Sequence, residues 1–196
     1  FTNAVEADVL AAWTFPIPYV IGDIAVPNIF STNNEGKELT CNATGNGEYD
    51  EEGNLIKGDP IPYGVGSGTE INPYAYSATG WEDGVYLKYF QIEIDATGYA
   101  DLTLSSWHYS SANGPKTMEV QYRFSTDADW ITVPNSQLTM PQAGYNADSK
   151  LTDLPLPSAC DNQTQLFIRW VVDGNLRTEV KTAWVVTIGG TSRVTN

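Results

Sequence analysis

Positive charge is scarce in this sequence. Its 196 residues hold 10 Lys and Arg against 24 Asp and Glu, a formal net charge of −14. A field of that sign repels nucleic-acid phosphates and anionic membranes, so neither is expected as a partner. It favours solubility and welcomes divalent cations. Histidine occurs once, at His108. Any catalytic triad would need that ring as its base, and no nucleophile motif stands beside it. The expected place for His108 is a strand end, against neighbours or in water. No apolar run reaches the ~18 residues of a membrane-spanning helix. No basic segment followed by an apolar stretch opens the chain, so a signal peptide, if one existed, is already removed. Metalloprotease, nucleophile-elbow, P-loop and dinucleotide motifs are all missing. The chain also lacks a convincing amphipathic helix, a repeat, a linker or a second domain. These absences argue against an enzyme.

Two cysteines are too few for a disulfide scaffold or a Cys-only metal site. Cys41 and Cys160 are expected to form one disulfide, the alternative being two buried thiols. The bridge would close a loop of about 120 residues, worth roughly 4–5 kcal/mol in the chain-entropy model. Asn42-Ala-Thr44 and Asn162-Gln-Thr164 are glycosylation sequons, a tripeptide that chance produces readily.

What the chain does have is two-residue alternation. Between residues 85 and 133, strands with clean period two are separated by turn residues. In 117–125, Met118, Val120, Tyr122 and Phe124 face one way, and Thr117, Glu119, Gln121, Arg123 and Ser125 the other. That pattern sets one face in a core and one in water. Strands are expected at 9–15, within 22–42, and at 85–95, 100–108, 117–125, 129–133, 149–156, 164–172 and 182–188. In 164–172, Leu166, Ile168, Trp170 and Val172 share a face. The fold class is all-β, a single antiparallel two-sheet sandwich of jelly-roll type over residues 9–196. Phe90, Ile92, Ile94, Leu102, Leu104, Val120, Tyr122, Phe124, Ile168 and Trp170 are the expected core. Trp13, Trp130, Trp170 and Trp184 read as core residues on strands.

Residues 43–84 are rich in Gly, Pro, Asn and acidic side chains, the make-up of long rim loops that carry specificity. Glu48, Asp50, Glu51 and Glu52 form an acidic run there, and Glu82 and Asp83 stand at a turn. Hard cations take six to eight oxygens from such loops, so a structural calcium is the one cofactor suggested, against the plainer reading of solvated acidic loops. Tyr63, Tyr74, Tyr76 and Trp81 are the candidate sugar-stacking rings; the alternative is that they cover the core. Glu93 and Asp95 lie two apart on one strand. They read as the solvent face of a sheet rather than as a glycosidase pair.

The pieces VLAAWTF, TGWEDGVYLKYFQIEI, TGYADLTLSS, SSANGPKTMEVQYRFSTDADWITVP, LPLPSACDNQTQLFIRWVV and GGTSR follow one another in a characteristic order. That order resembles a jelly-roll module of large secreted and surface proteins of bacteria, similar in plan to carbohydrate-binding modules. The resemblance implies a non-catalytic extracellular module, secreted or held at the cell surface. In that family GGTSR usually leads into one more strand, whereas this chain stops at Asn196. A sandwich without its last strand leaves an edge that invites a strand from another chain. Two functions follow. In the first, copies polymerise head to tail into a surface fibre. Residues 1–8 form the donated strand, and Phe1, Val5 and Val9 fill the groove. In the second, the chain is a glycan-binding or adhesive module.

Overall fold

The computed structural model describes residues 9–12, 19–21, 24–26, 37, 39–43, 48–49, 55–57, 76–78, 81, 83–110, 114–140, 147–174 and 192–195. Strands dominate. In chain order they are β1 (Tyr19–Ile21), β2 (Ile24–Val26), β3 (Leu39–Cys41), β4 (Glu48–Tyr49), β5 (Leu55–Lys57), β6 (Tyr76–Ala78) and β7 (Tyr89–Ile94). There follow β8 (Thr103–Ser110), β9 (Thr117–Arg123), β10 (Ile131–Thr132), β11 (Leu138–Thr139), β12 (Lys150–Pro155), β13 (Leu166–Val172) and β14 (Ser192–Thr195). Among the described residues the helical pieces are single 3-10 turns at Ala147–Ser149 and Ser158–Cys160. The protein is an antiparallel β-sandwich. One sheet runs β10-β9-β13-β7-β3, with β11 also on β9, and the other runs β12-β8-β14-β6. Two further ribbons pair β1 with β2 and β4 with β5.

Period two explains how the larger sheet finds its core. Across it, Tyr122, Ile168, Ile92 and Leu39 stand in one row, and Val120, Trp170, Phe90 and Cys41 in the next. Phe90, Val120 and Ile168 have almost no exposed surface. Burying side chains of this size contributes about 1.5–3 kcal/mol each. The opposite sheet adds Leu151 and Leu154 of β12 to the same cluster. Seven of the ten expected core residues are buried, while Leu102, Leu104 and Phe124 are only partly so. Those three lie at or beyond strand ends, where the facing layer covers less.

The inner face of β8 breaks the apolar pattern. It presents Ser106, His108 and Ser110, all buried. Ser106 Oγ accepts a hydrogen bond from Trp170 Nε1 at 3.0 Å, across the two sheets, and lies 3.0 Å from His108 Nε2. The His108 ring is tilted against Trp170 with centroids 5.8 Å apart. His108 is therefore no strand-end ring: it sits within β8 and is fully buried. If Ser106 donates to Nε2, the proton of the neutral ring is on Nδ1, an atom that is buried and has no partner.

The turn before β7 is built by close approach. A Cβ on Gly84 would lie 2.6 Å from the Trp81 carbonyl oxygen, so only glycine fits. Leu87 N and Lys88 N both donate to Gly84 O, and Tyr86 N donates to Val172 O. Asn42 braces the turn from β3: its Nδ2 donates to Leu87 O at 2.7 Å and its Oδ1 accepts from Tyr89 N at 2.8 Å. The Asn42 amide of that sequon is thus used by the fold, whereas Asn162 is exposed and its Oδ1 accepts from Gly98 N.

Three expectations are corrected or fall outside the described residues. Residues 9–12, expected as part of a strand, are irregular, and 182–188 lie outside the described set. Ser192–Thr195, for which no strand was expected, is a strand. It pairs with β8 on one side and β6 on the other. The position between β8 and β6 is thus occupied opposite residues 107–110.

Burial lowers the His108 pKa from 6.5 to about 3. Because the folded value lies below the unfolded one, this group's contribution is full above pH 6.5 and is lost as pH falls toward 3. Between pH 7 and pH 5 it removes about 2 kcal/mol of stability. Urea unfolding at both pH values measures this, and His108→Gln should flatten the difference.

Candidate functional site

Few of the residues singled out by sequence come together. Among the calcium candidates, Asp50, Glu51, Glu52 and Glu82 lie outside the described residues, and Glu48 opens β4. Asp83 is exposed in the turn before β7, with a positive φ of 50°. Among the described residues no three His, Cys, Asp or Glu side chains are grouped to hold a metal ion. Of the aromatic candidates, Tyr63 and Tyr74 lie outside the described set, and Tyr76 begins β6. Trp81 is corrected. It has 0% exposure and packs against Phe90 with ring centroids 5.1 Å apart, so it is core and not a stacking platform. Phe1 and Val5 are outside the described residues, and Val9 is 59% exposed.

The expected disulfide is also corrected: Cys41 and Cys160 are not bridged to each other. Cys41 lies on the edge strand β3, opposite Phe90. Cys160 lies toward β9, where the Tyr122 hydroxyl is raised by burial and, less, by the charge of that thiol. Strands β13 and β7 stand between β9 and β3.

The arrangement that does concentrate chemistry lies on the outer face of the larger sheet. Here β13 departs from alternation. Phe167, Arg169 and Val171, which point away from the core, are buried as well. Arg169 is at the centre. One row across five strands reads Thr132, Gln121, Arg169, Gln91 and Thr40. Its neighbours on one side are Tyr89, Val171 and Glu119, and on the other Glu93, Phe167 and Arg123.

Hydrogen bonds set the orientation of this row. Arg169 Nε and Nη2 donate to Gln121 Oε1 at 2.9 and 2.6 Å. Gln121 Nε2 donates to Glu119 Oε1 at 2.7 Å, and Thr132 Oγ1 donates to the same oxygen at 2.9 Å. The carboxamide is therefore fixed with its oxygen toward the cation and its nitrogen toward the carboxylate. Trp130 lies beside both arginines. The Arg169 guanidinium carbon is 4.1 Å from the indole centroid and that of Arg123 is 4.3 Å. Arg169 also lies 5.3 Å from the Tyr89 ring, and Arg123 lies 5.2 Å from that of Phe167. Arg123 Nη1 donates to Thr126 O at 2.7 Å, tying down the connection that carries Trp130. At the rim Lys37 pairs with Glu93 at 3.4 Å, and Gln165 Nε2 donates to Glu93 Oε1 at 3.1 Å.

Arg169 is only 8% exposed. Burial lowers its pKa to about 10, the Tyr89 and Glu119 charges work against that fall, and Arg123 adds to it. At neutral pH the group stays cationic. The face thus offers a held guanidinium, a second one at its side, carboxamides, a carboxylate and an indole that is only half-buried. The Gln91 Oε1 atom in the same row is buried and has no partner.

Glu93 and Asp95 fall on this outer side, as expected, with Asp95 exposed just past β7. Trp130 was expected in the core on a strand; it precedes β10 and covers the outer face instead. Neither Arg169 nor Gln121 was among the site candidates read from sequence, although Gln121 was set on the outward face. One signal was available, since LFIRWVV is an apolar run broken by a single arginine. A cation inside such a run must be held by partners.

No family model and no curated protein matches the chain. Among solved structures, the F5/8 type C domain of a Bacteroides fragilis protein matches with 12% identity and a TM-score of 0.32, covering 82% of this chain and 92% of that one. A likeness at that level decides neither fold nor function. No helix among the described residues is long and apolar enough to cross a membrane.

The Cys160 thiol is pushed up to about 11 by burial and then by the Asp161 charge, so it stays protonated and unreactive at pH 8. A thiol reagent at pH 8 should label half-buried Cys41 quickly, and Cys160 only after denaturant is added. Peptide mapping without reductant should show no Cys41–Cys160 link.

Proposed function

We propose that the protein is a non-catalytic extracellular binding module that holds a glycan on the outer face of its larger sheet. The carrying observation is the Arg169 row. A guanidinium is fixed at the centre of a sheet, with carboxamides, a carboxylate and hydroxyls at strand spacing around it and a half-buried indole beside it. Sugars present hydroxyls that both donate and accept, together with apolar C–H faces. A few placed polar groups next to an aromatic ring answer both. The resemblance of the chain to secreted bacterial modules supports the same reading.

In this reading the ligand meets Trp130, Arg169, Gln121, Gln91 and Glu119 rather than the loop tyrosines. Assembly by strand exchange is the weaker reading. Its donor segment lies beyond the described residues, and Ser192–Thr195 takes the place between β8 and β6.

Glycan-array screening followed by calorimetry on the purified chain tests the proposal. Trp130→Ala should weaken binding by about 2 kcal/mol, roughly thirtyfold, as for a truncated aromatic anchor. Circular dichroism should show the fold retained. An array without a hit, or a Trp130→Ala variant with unchanged affinity, would sink the reading.

A further inference from the structure

We infer that the glycan received by this face is acidic, with the carboxylate of a uronic-acid-type sugar docking on Arg169 and Arg123. The inference rests on the glycan-binding reading above and adds the class of sugar.

Charge pairing carries it. Among the described residues the ion pair on this face joins Lys37 to Glu93, and neither arginine has a carboxylate within 4.0 Å. The acceptors they do have are neutral: Gln121 Oε1 for Arg169 and Thr126 O for Arg123. Buried cations are normally paired with anions, because the loss of hydration must be offset. Arg169 is nine-tenths buried, and its hydrogen-bond acceptor is a carboxamide rather than a carboxylate. Its Nη1 makes no bond among the described residues, and Arg123 Nε is buried without a partner. With 24 carboxylates in the chain, an internal counter-ion was available in composition. Glu119 is the nearest to hand, yet Gln121 and Thr132 take its Oε1.

Geometry places the two cations for one ligand. Arg123 faces Phe167 and Arg169 faces Gln121, so the arginines are diagonal neighbours on adjacent strands. Side chains in that relation lie about 7–8 Å apart at their roots, and both guanidiniums converge on the Trp130 ring. Their mutual repulsion is relieved by an anion seated between them. A carboxylate suits the site because its planar pair of oxygens matches the guanidinium fork. The sugar ring attached to it would come to rest against the indole.

The test compares oligogalacturonate with its fully methyl-esterified form, which keeps the backbone and removes the charge. Oligomannuronate and neutral cello- and xylo-oligomers complete the panel. Titration calorimetry should show a uronate bound at least tenfold tighter than its ester or any neutral oligomer. Arg123→Gln should cut that preference severalfold. Its half-exposed position allows folding, which a thermal melt verifies. Trp130→Ala should weaken acid and ester alike. Equal binding of acid and ester, binding of neutral oligomers alone, or a full acid preference in Arg123→Gln would each overturn the acidic-ligand inference while leaving glycan binding standing. If no saccharide binds here or on a broad array, the glycan reading falls and this inference falls with it.

Discussion

Strand β13 pairs along its length with β7 on one side and β9 on the other. A strand held in that way spends its backbone donors and acceptors within the sheet, so it can be buried on both faces without orphaned polar groups. All seven of its residues are buried. Its inner side supplies Ile168 and Trp170 to the core, and its outer side supplies Phe167, Arg169 and Val171 to the opposite face. The core and the candidate site are therefore two sides of the same segment. A change in its register by one residue would exchange them.

The two faces handle buried polarity differently. Inside the sandwich the solution is a closed neutral set, with the Trp170 indole donating to Ser106 and Ser106 against His108. It ties the two sheets together at one point, and it keeps the ring uncharged. Protonating His108 would place a cation among apolar neighbours, which is why its pKa falls so far. A hydroxyl beside an imidazole is also the start of a nucleophile pair, yet this one is sealed between sheets, with no partner on the second ring nitrogen.

On the outer face the charge is kept. Arg169 is held by neutral groups and stacked beside Trp130, with no carboxylate within 4.0 Å among the described residues. Such an arrangement costs more than a paired or apolar alternative. The chain carries a formal net charge of −14, and against that background two guanidiniums lie side by side at the Trp130 ring.

Local chemistry settles part of this. Alternation along 117–125 follows from the two-residue repeat of any strand, and it correctly sorted Met118, Val120 and Tyr122 inward and Glu119 and Arg123 outward. Phe90, Ile92 and Ile94 were legible for the same reason. The site was not legible, because its row draws on residues 40, 91, 121, 132 and 169. Their meeting depends on strand order, which no local pattern encodes. The two cysteines are not bridged to each other, despite an even count that invited a bridge. Trp81 is enclosed, although its loop-rich surroundings suggested an exposed ring. Periodicity is a property of a single strand and can be read from it; adjacency is a property of the whole sheet and is decided only when the strands pair.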